Sequence, residues 1–198
     1  TANLINSSHS SSLGLHPAVY FYSKGGRYKT ASFFAVTELL MELNEKNGFK
    51  IFTDCREDFE EILIDYDFVI QQILRNYRSS SKAVPHIKKF LLDLIYALQS
   101  DSKEDAIKNV LESGEYNFVK GVDFDDTLIT NESFSDTTKS AIFITDALQN
   151  AVRCRICKAR IHKNSMSIDH IVRKQDGGIG NFENGQLAHP YCNTTYKN

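Results

Sequence analysis

Through much of the first hundred residues, apolar positions recur at three- and four-residue steps, the period of a helix with one buried face. Phe33, Val36, Leu39, Leu40 and Leu43 mark such a face over Ser32–Lys46, and Asn47-Gly48 is a natural stop. Asp54–Tyr77 continues the pattern with Phe59, Ile62, Leu63, Phe68, Ile70 and Ile73, and predicts one long helix. Pro85 suits a first helical turn, leading into Ile87–Leu98 with Phe90, Leu91, Leu94 and Leu98 on one side. Ser102 is placed to cap a shorter helix over Lys103–Leu111. These stripes are packing surfaces and gather no catalytic set. Val19–Ser23, aromatic and β-branched, predicts a brief strand, and Lys24-Gly25-Gly26-Arg27 a turn. The glycine pair lacks the Gly-Lys-Ser/Thr spacing of a phosphate loop. Residues 1–16, polar and Ser-rich, are expected to form a flexible leader.

The pattern changes after Asp101. Ten acids and three lysines up to Asp136, interrupted by Gly114 and Gly121, read as an acidic connector. Within it, Val122-Asp123-Phe124-Asp125-Asp126-Thr127-Leu128 resembles the opening motif of haloacid-dehalogenase-type phosphatases. That chemistry needs an apolar strand in front, which Lys120-Gly121 interrupts, and a doubly wound sheet behind. About seventy residues remain, too few for it, and a solvated acidic loop is the expectation. Helical periodicity returns over Thr137–Val152, with Asp136 as cap and Ile142, Phe143, Ile144, Ala147, Leu148 and Val152 as the apolar face.

Composition adds three constraints. No apolar run approaches the roughly 18 residues of a membrane span, and no signal peptide is visible. The absence of an initiator Met suggests a fragment of a longer protein. Net charge is -2, but from Asn150 onward eight Lys and Arg face three acids, a local +5, whereas the rest carries -7. A basic end on an acidic body is expected where one end meets phosphates.

Cysteine usage decides the chemistry of that end. Cys154, Cys157 and Cys192 cluster in the last quarter, with Cys55 far away. Cys154-x-x-Cys157 and His189-x-x-Cys192 are two short pairs about thirty positions apart, a spacing that suits four-coordinate zinc. A redox dithiol usually opens a helix after a strand, whereas this pair follows a helix. His162 is a rival fourth ligand. Some fifty residues with few large apolar side chains cannot build a sufficient core alone, so a structural zinc ion is also needed physically. Clustered thiols of this kind point to a reducing compartment, and a cytoplasmic location is expected.

Between the zinc half-sites stand Ser167-Ile168-Asp169-His170-Ile171-Val172, then Gly177-Gly178, Asn184 and Asn193. Arg160–His162 and Met166–Val172 predict a β-hairpin, and Phe182–Tyr191 a following helix. Over roughly Val152 to Lys197 this order resembles the HNH family of metal-dependent endonucleases, which carry Asp-His on the second strand of a ββα fold, Asn in the middle and His or Asn at the end. Two departures stand out: His189 replaces the more frequent cysteine, and Arg173 follows Val172 where proline is common. The fold class is then mainly α, a helical N-terminal region followed by a small zinc-stapled ββα-metal domain. Its parts are a leader (1–16), a helical scaffold ending in the acidic connector (17–136) and the nuclease domain (137–198).

The resemblance implies DNA phosphodiester hydrolysis. Asp169 and Asn193 offer hard oxygen ligands to a magnesium or manganese ion, His170 is the general base, and Asn184 supports the loop behind it. Arg173, Lys174 and Lys197 are expected to contact phosphates, most naturally of double-stranded DNA. A weaker resemblance links Leu13-Gly14-Leu15-His16-Pro17-Ala18-Val19-Tyr20-Phe21-Tyr22 and the helices after it to the C-terminal part of GmrSD-type, ParB-like prokaryotic defence proteins. It implies an upstream ParB-like domain absent here, an anti-phage or restriction role, and room for homo-oligomerisation. The competing reading is a non-catalytic zinc module that binds nucleic acid, with the helical half as an interaction adaptor.

Overall fold

The computed structural model describes residues 2–121 and 133–197. The acidic motif Val122–Leu128 lies outside the described residues. Helices dominate, in the order α1 (Ala2–Ile5), α2 (Pro17–Tyr20), α3 (Thr30–Glu45), α4 (Phe49–Asp54), α5 (Arg56–Asp65), α6 (Asp67–Tyr77), α7 (Ser80–Ala97), α8 (Lys103–Glu112) and α9 (Asp136–Gln149). A two-stranded antiparallel sheet follows, β1 (Ser167–His170) against β2 (Gly185–Ala188), and a terminal π-helical turn over Cys192–Tyr196.

The predicted stripes form the core. Leu39, Leu40 and Leu43 of α3 and Ile87, Phe90, Leu91 and Leu94 of α7 are almost wholly buried, and α3 and α7 pack along their length. The expected long helix over 54–77 is two helices instead, α5 and α6, because Tyr66 leaves helical geometry between them, as Cys55 does between α4 and α5, and the three wrap the core. The α7 helix starts before Pro85. Ser79, extended at φ -148°, caps it by accepting from the Lys82 amide, and the proline is carried inside the helix. Ser102 caps α8 as expected, whereas Ser135 rather than Asp136 caps α9.

Three further expectations give way to packing. Residues 1–16 contain α1, and Leu13 and Leu15 are fully buried, fixed by amide bonds to Leu4 and Ile5 carbonyls. Residues 17–20 are helical, and the strand there shrinks to a single Tyr22–Tyr28 bridge. The α9 helix buries only Leu148, with Ile144 half-buried one turn earlier. Ile142 and Phe143 point to solvent at 57% and 73% exposure.

A zinc-type cluster and the cleft beside it

The tail is built on a tight knuckle. An isolated bridge joins Arg153 to Arg160, the Cys154 amide donates to the Ala159 carbonyl, and Lys158 turns the chain at φ 61°. Cys154 and Cys157 thereby face the segment that follows β2. There His189 and Cys192 are spaced by the start of the terminal turn, where the Asn193 amide donates to the His189 carbonyl. The four ligand atoms of Cys154, Cys157, His189 and Cys192 lie within 4.8 Å of one another, all buried, and none of the cysteines is in a disulfide. The His189 ring presents Nδ1 at 3.4 Å from Cys157 Sγ and 3.9 Å from Cys192 Sγ. Its Nε2 donates to the Arg160 carbonyl at 3.1 Å, which fixes the tautomer with Nδ1 as the ligand atom. Burial and then the Arg56 guanidinium hold this imidazole below its ordinary pKa, in the neutral form that binds metal.

The sulfurs compete for a single negative charge. Hydrogen bonds from Cys157 and Cys192 hold the Cys154 thiol far below its ordinary value. The Cys157 thiol is pushed up to about 12 by the same bond, and Cys192 is raised further. Three thiolates at this spacing need a cation among them. Three soft sulfurs with one imidazole, four donors in all, fit zinc. His162, the rival ligand, stands outside the cluster and accepts from Asn6 Nδ2 at 2.9 Å.

Helix α5 supports this cluster from behind, which the sequence did not reveal. Arg56 is fully buried. It donates to the carbonyls of Leu13 and Gly14, to Glu60 Oε1 at 3.1 Å, and approaches His189 Nδ1 at 3.5 Å. Glu60, equally buried, accepts from Tyr20 and from the Arg160 amide. At Gly14 (φ +65°) a Cβ would lie 2.6 Å from His189 Cδ2, so only glycine lets this segment pass the ring. An Arg-Glu pair four residues apart looks like ordinary surface decoration of a helix. The signal was too common to carry meaning.

Beyond the cluster, β1 pairs with β2 in the register Ser167–Ala188 to His170–Gly185. The predicted partner, Arg160–His162, contributes only the knuckle bridge, and Phe182–Ala188 is loop and strand rather than helix, which begins only at Pro190. The reason is the clamp at both ends of β2. His189 is fixed by the cluster, and Asn184 ties the other end to Val172. Asn184 Oδ1 accepts from the Val172 amide at 2.7 Å, and its Nδ2 donates to the carbonyls of Val172 and Ile179. A Cβ on Gly178 would sit 1.8 Å from the Val172 oxygen, so this loop also needs its glycine.

Alternation along β1 turns Asp169 inward, 4% exposed, and His170 to the half-buried opposite side. A cleft of about 450 Å³ is lined by Asp169, His170, Arg173, Lys174, Asn193 and Lys197 among others, so these predicted residues share one site. Asn184 lies behind it. Asp169 Oδ2 accepts from Gln186 Nε2 and from Lys197 Nζ, each at 2.7 Å, and Lys197 also donates to the His170 carbonyl at 2.5 Å. Lys197 is therefore engaged with the acid rather than held out for a phosphate. Arg173 donates to the Lys197 carbonyl, and Lys174 is exposed at the rim. Asn193 directs its Nδ2 to Ser167 Oγ and the Ile168 carbonyl, and its carbonyl oxygen is the atom with the chemistry of a hard ligand.

Residues 154–198 match the family model of the HNH endonucleases. The match begins at the first cluster cysteine and encloses the whole cleft, so an HNH domain implies a nuclease acting on nucleic acid at this end of the chain. No curated protein and no solved structure matches the chain. Among the described residues no helix is long and apolar enough to cross a membrane.

Proposed function

We propose that the C-terminal HNH domain hydrolyses DNA phosphodiester bonds with a divalent magnesium or manganese ion, and that zinc on Cys154, Cys157, His189 and Cys192 is structural. One observation carries the reading. A buried carboxylate and an imidazole on adjacent strand residues share a basic cleft with a carboxamide, and the cysteine cluster anchors the strand and turn that hold them.

The donor set fits a hard cation. Asp169 and Asn193 supply oxygen, and both donors already on Asp169 take Oδ2. A bound divalent ion would supply charge for the scissile phosphate and the leaving oxygen. His170 accepts the proton of the attacking water, a contribution of about 100- to 10,000-fold. Asn184 positions that imidazole by locking the loop after β1. Lys174 and Arg173 orient the phosphate backbone without reading sequence. Lys197 balances the Asp169 charge and must share the carboxylate with the metal or move aside.

The division into a helical scaffold (17–136) and a nuclease domain (137–198), cytoplasmic action on double-stranded DNA, and a restriction or anti-phage role alongside a missing ParB-like domain belong to the same proposal. The last rests on the 13–22 motif alone. Cleavage of supercoiled plasmid tests the core of it. Cutting should require magnesium or manganese, stop with EDTA, and fall at least about 100-fold in His170→Ala with zinc content and fold retained. Unchanged cutting in that variant would leave a non-catalytic nucleic-acid-binding zinc module as the reading.

A further inference from the structure

We propose that Lys197 couples metal binding to nucleic-acid binding: in the DNA-free protein its ammonium holds the Asp169 carboxylate, and a strand phosphate releases that carboxylate to the divalent ion. The inference rests on the proposed placement of the ion at Asp169 and Asn193, and adds the order in which the ligands assemble.

Lysine is usually a flexible surface charge, but Lys197 is held at three points. Its amide donates to the Cys192 carbonyl at 3.2 Å, which ties it to the cysteine cluster. Its carbonyl accepts from the Arg173 guanidinium at 2.5 Å. Its ammonium then reaches between Asp169 Oδ2 and the His170 carbonyl, at 2.7 and 2.5 Å. The two side chains are 21% and 6% exposed, and among the described residues neither has another ion-pair partner.

The charge balance decides what this contact does. Among the described residues Asp169 is the only carboxylate lining the cleft, against the cations Arg173, Lys174 and Lys197. A hard divalent ion of the magnesium type is held by one or two carboxylates, completed by substrate phosphates. Here the single carboxylate is already neutralised, and the surrounding cations repel a further positive charge. Bound alone, the ion would have to displace Lys197 with no anion to receive the ammonium. A phosphate changes both terms. It brings the missing negative charge, and its oxygens accept the ammonium, which the flexible four-carbon stem can carry across. Lys197 thus becomes a phosphate contact only in the bound state. By linkage, the duplex must raise metal affinity by the same factor as metal raises duplex affinity.

Manganese binding to the zinc-loaded protein, read from the electron paramagnetic resonance signal of the free ion, tests this. A His170→Ala background keeps a short DNA duplex uncut, and the duplex alone, which binds manganese through its own phosphates, is the blank. The duplex should raise the protein's manganese affinity about 5- to 150-fold, the usual span of such coupling, and manganese should raise duplex affinity equally in fluorescence anisotropy. In Lys197→Met, manganese affinity without duplex should rise at least about fivefold and the gain from duplex should shrink. Lys197→Arg should keep the coupling. Zinc content and circular dichroism should match the parent in both. Manganese affinity indifferent to duplex, or DNA-free affinity unchanged or lowered in Lys197→Met, overturns the proposal. The first comparison needs no change at position 197, so it stays decisive even should Lys197→Met misfold. Coupling without metal-dependent cutting by the protein with His170 intact supports the inference and overturns the nuclease reading, and cutting without coupling does the reverse. Manganese binding that persists in Asp169→Asn overturns both the inference and the metal placement beneath it.

Discussion

The helical half and the tail stabilise themselves by different means. Between α3, α5, α6 and α7, leucine, isoleucine and phenylalanine side chains fill one continuous core. The tail's own cluster consists of Cys154, Cys157 and Cys192 with Ala159, Ile161 and Ala188, side chains too small to hold fifty residues by burial. Where the first region uses apolar area, the second uses a polar, chargeable cluster braced by the buried Arg56–Glu60 pair. A core made of area tolerates gradual change. One made of coordination and paired charge fails all at once when a member is removed. The tail is also not self-sufficient, because the residues that brace its cluster come from α5 and from the segment 12–15.

The largest effect that would sharpen this contrast is loss of the metal. Cys157→Ser, or exhaustive treatment with a strong chelator, should remove stabilisation on the order of 10 kcal/mol from the tail. Hydrogen exchange across β1, β2 and the terminal turn should become rapid, and plasmid cutting should vanish. The amides of α3 and α7 should keep their protection. Equal deprotection of α7 would show that the two regions are one cooperative unit, and would break the comparison.

Next in size is the pair that joins the regions. Replacing Arg56 by Met leaves the Glu60 carboxylate and the Leu13 and Gly14 carbonyls buried without their donor, at a cost of about 3–5 kcal/mol. Zinc should then leave faster in a chelator competition assay, because the His189 ring loses its support. Arg153 is the control. It meets Glu57 and Glu61 across the same junction but at 3.4 and 3.6 Å and partly in solvent, and Arg153→Ala should cost less than about 1 kcal/mol. Similar losses in the two variants would mean that burial is not what gives Arg56 its role.

How far these features could be read beforehand follows the range of the interactions. The grouping of Cys154, Cys157, His189 and Cys192 was legible because each pair is a local turn with fixed spacing, and the shared cleft of Asp169, His170 and Asn193 followed from their order relative to those turns. The α3 and α7 faces were legible because long apolar stripes leave little choice. The partner of β1 was not. Gly185-Gln186-Leu187-Ala188 has no strand-forming character of its own and is extended only because His189 and Asn184 hold its two ends. Arg56, Glu60 and Gln186 were hidden for a related reason: each looks like a surface residue until distant chain is folded over it. The breaks at Cys55 and Tyr66 carried no glycine or proline to announce them.

The smallest effect concerns acid. His16 sits at the junction, its ring edge-on to His162 and its Nδ1 buried without a partner. Burial, opposed by Glu60 and assisted by His162, Arg160 and Arg56, lowers its pKa from 6.5 to about 4. The folded protein therefore binds fewer protons at this site than the unfolded chain as pH falls from about 6.5 to about 4. Stability should drop across that window and level off below it. Allowing for the ring's partial exposure, the drop is roughly 2 kcal/mol. In His16→Gln this component disappears, whereas acid release of metal from the cysteine cluster is common to both proteins. The difference between the two urea-denaturation series, taken at half-unit pH steps, should thus trace a single titration between those limits. A flat difference would mean that the His16 imidazole reaches solvent in the folded protein, and that the seam between the helical half and the tail is looser than its buried Arg56 and Glu60 require.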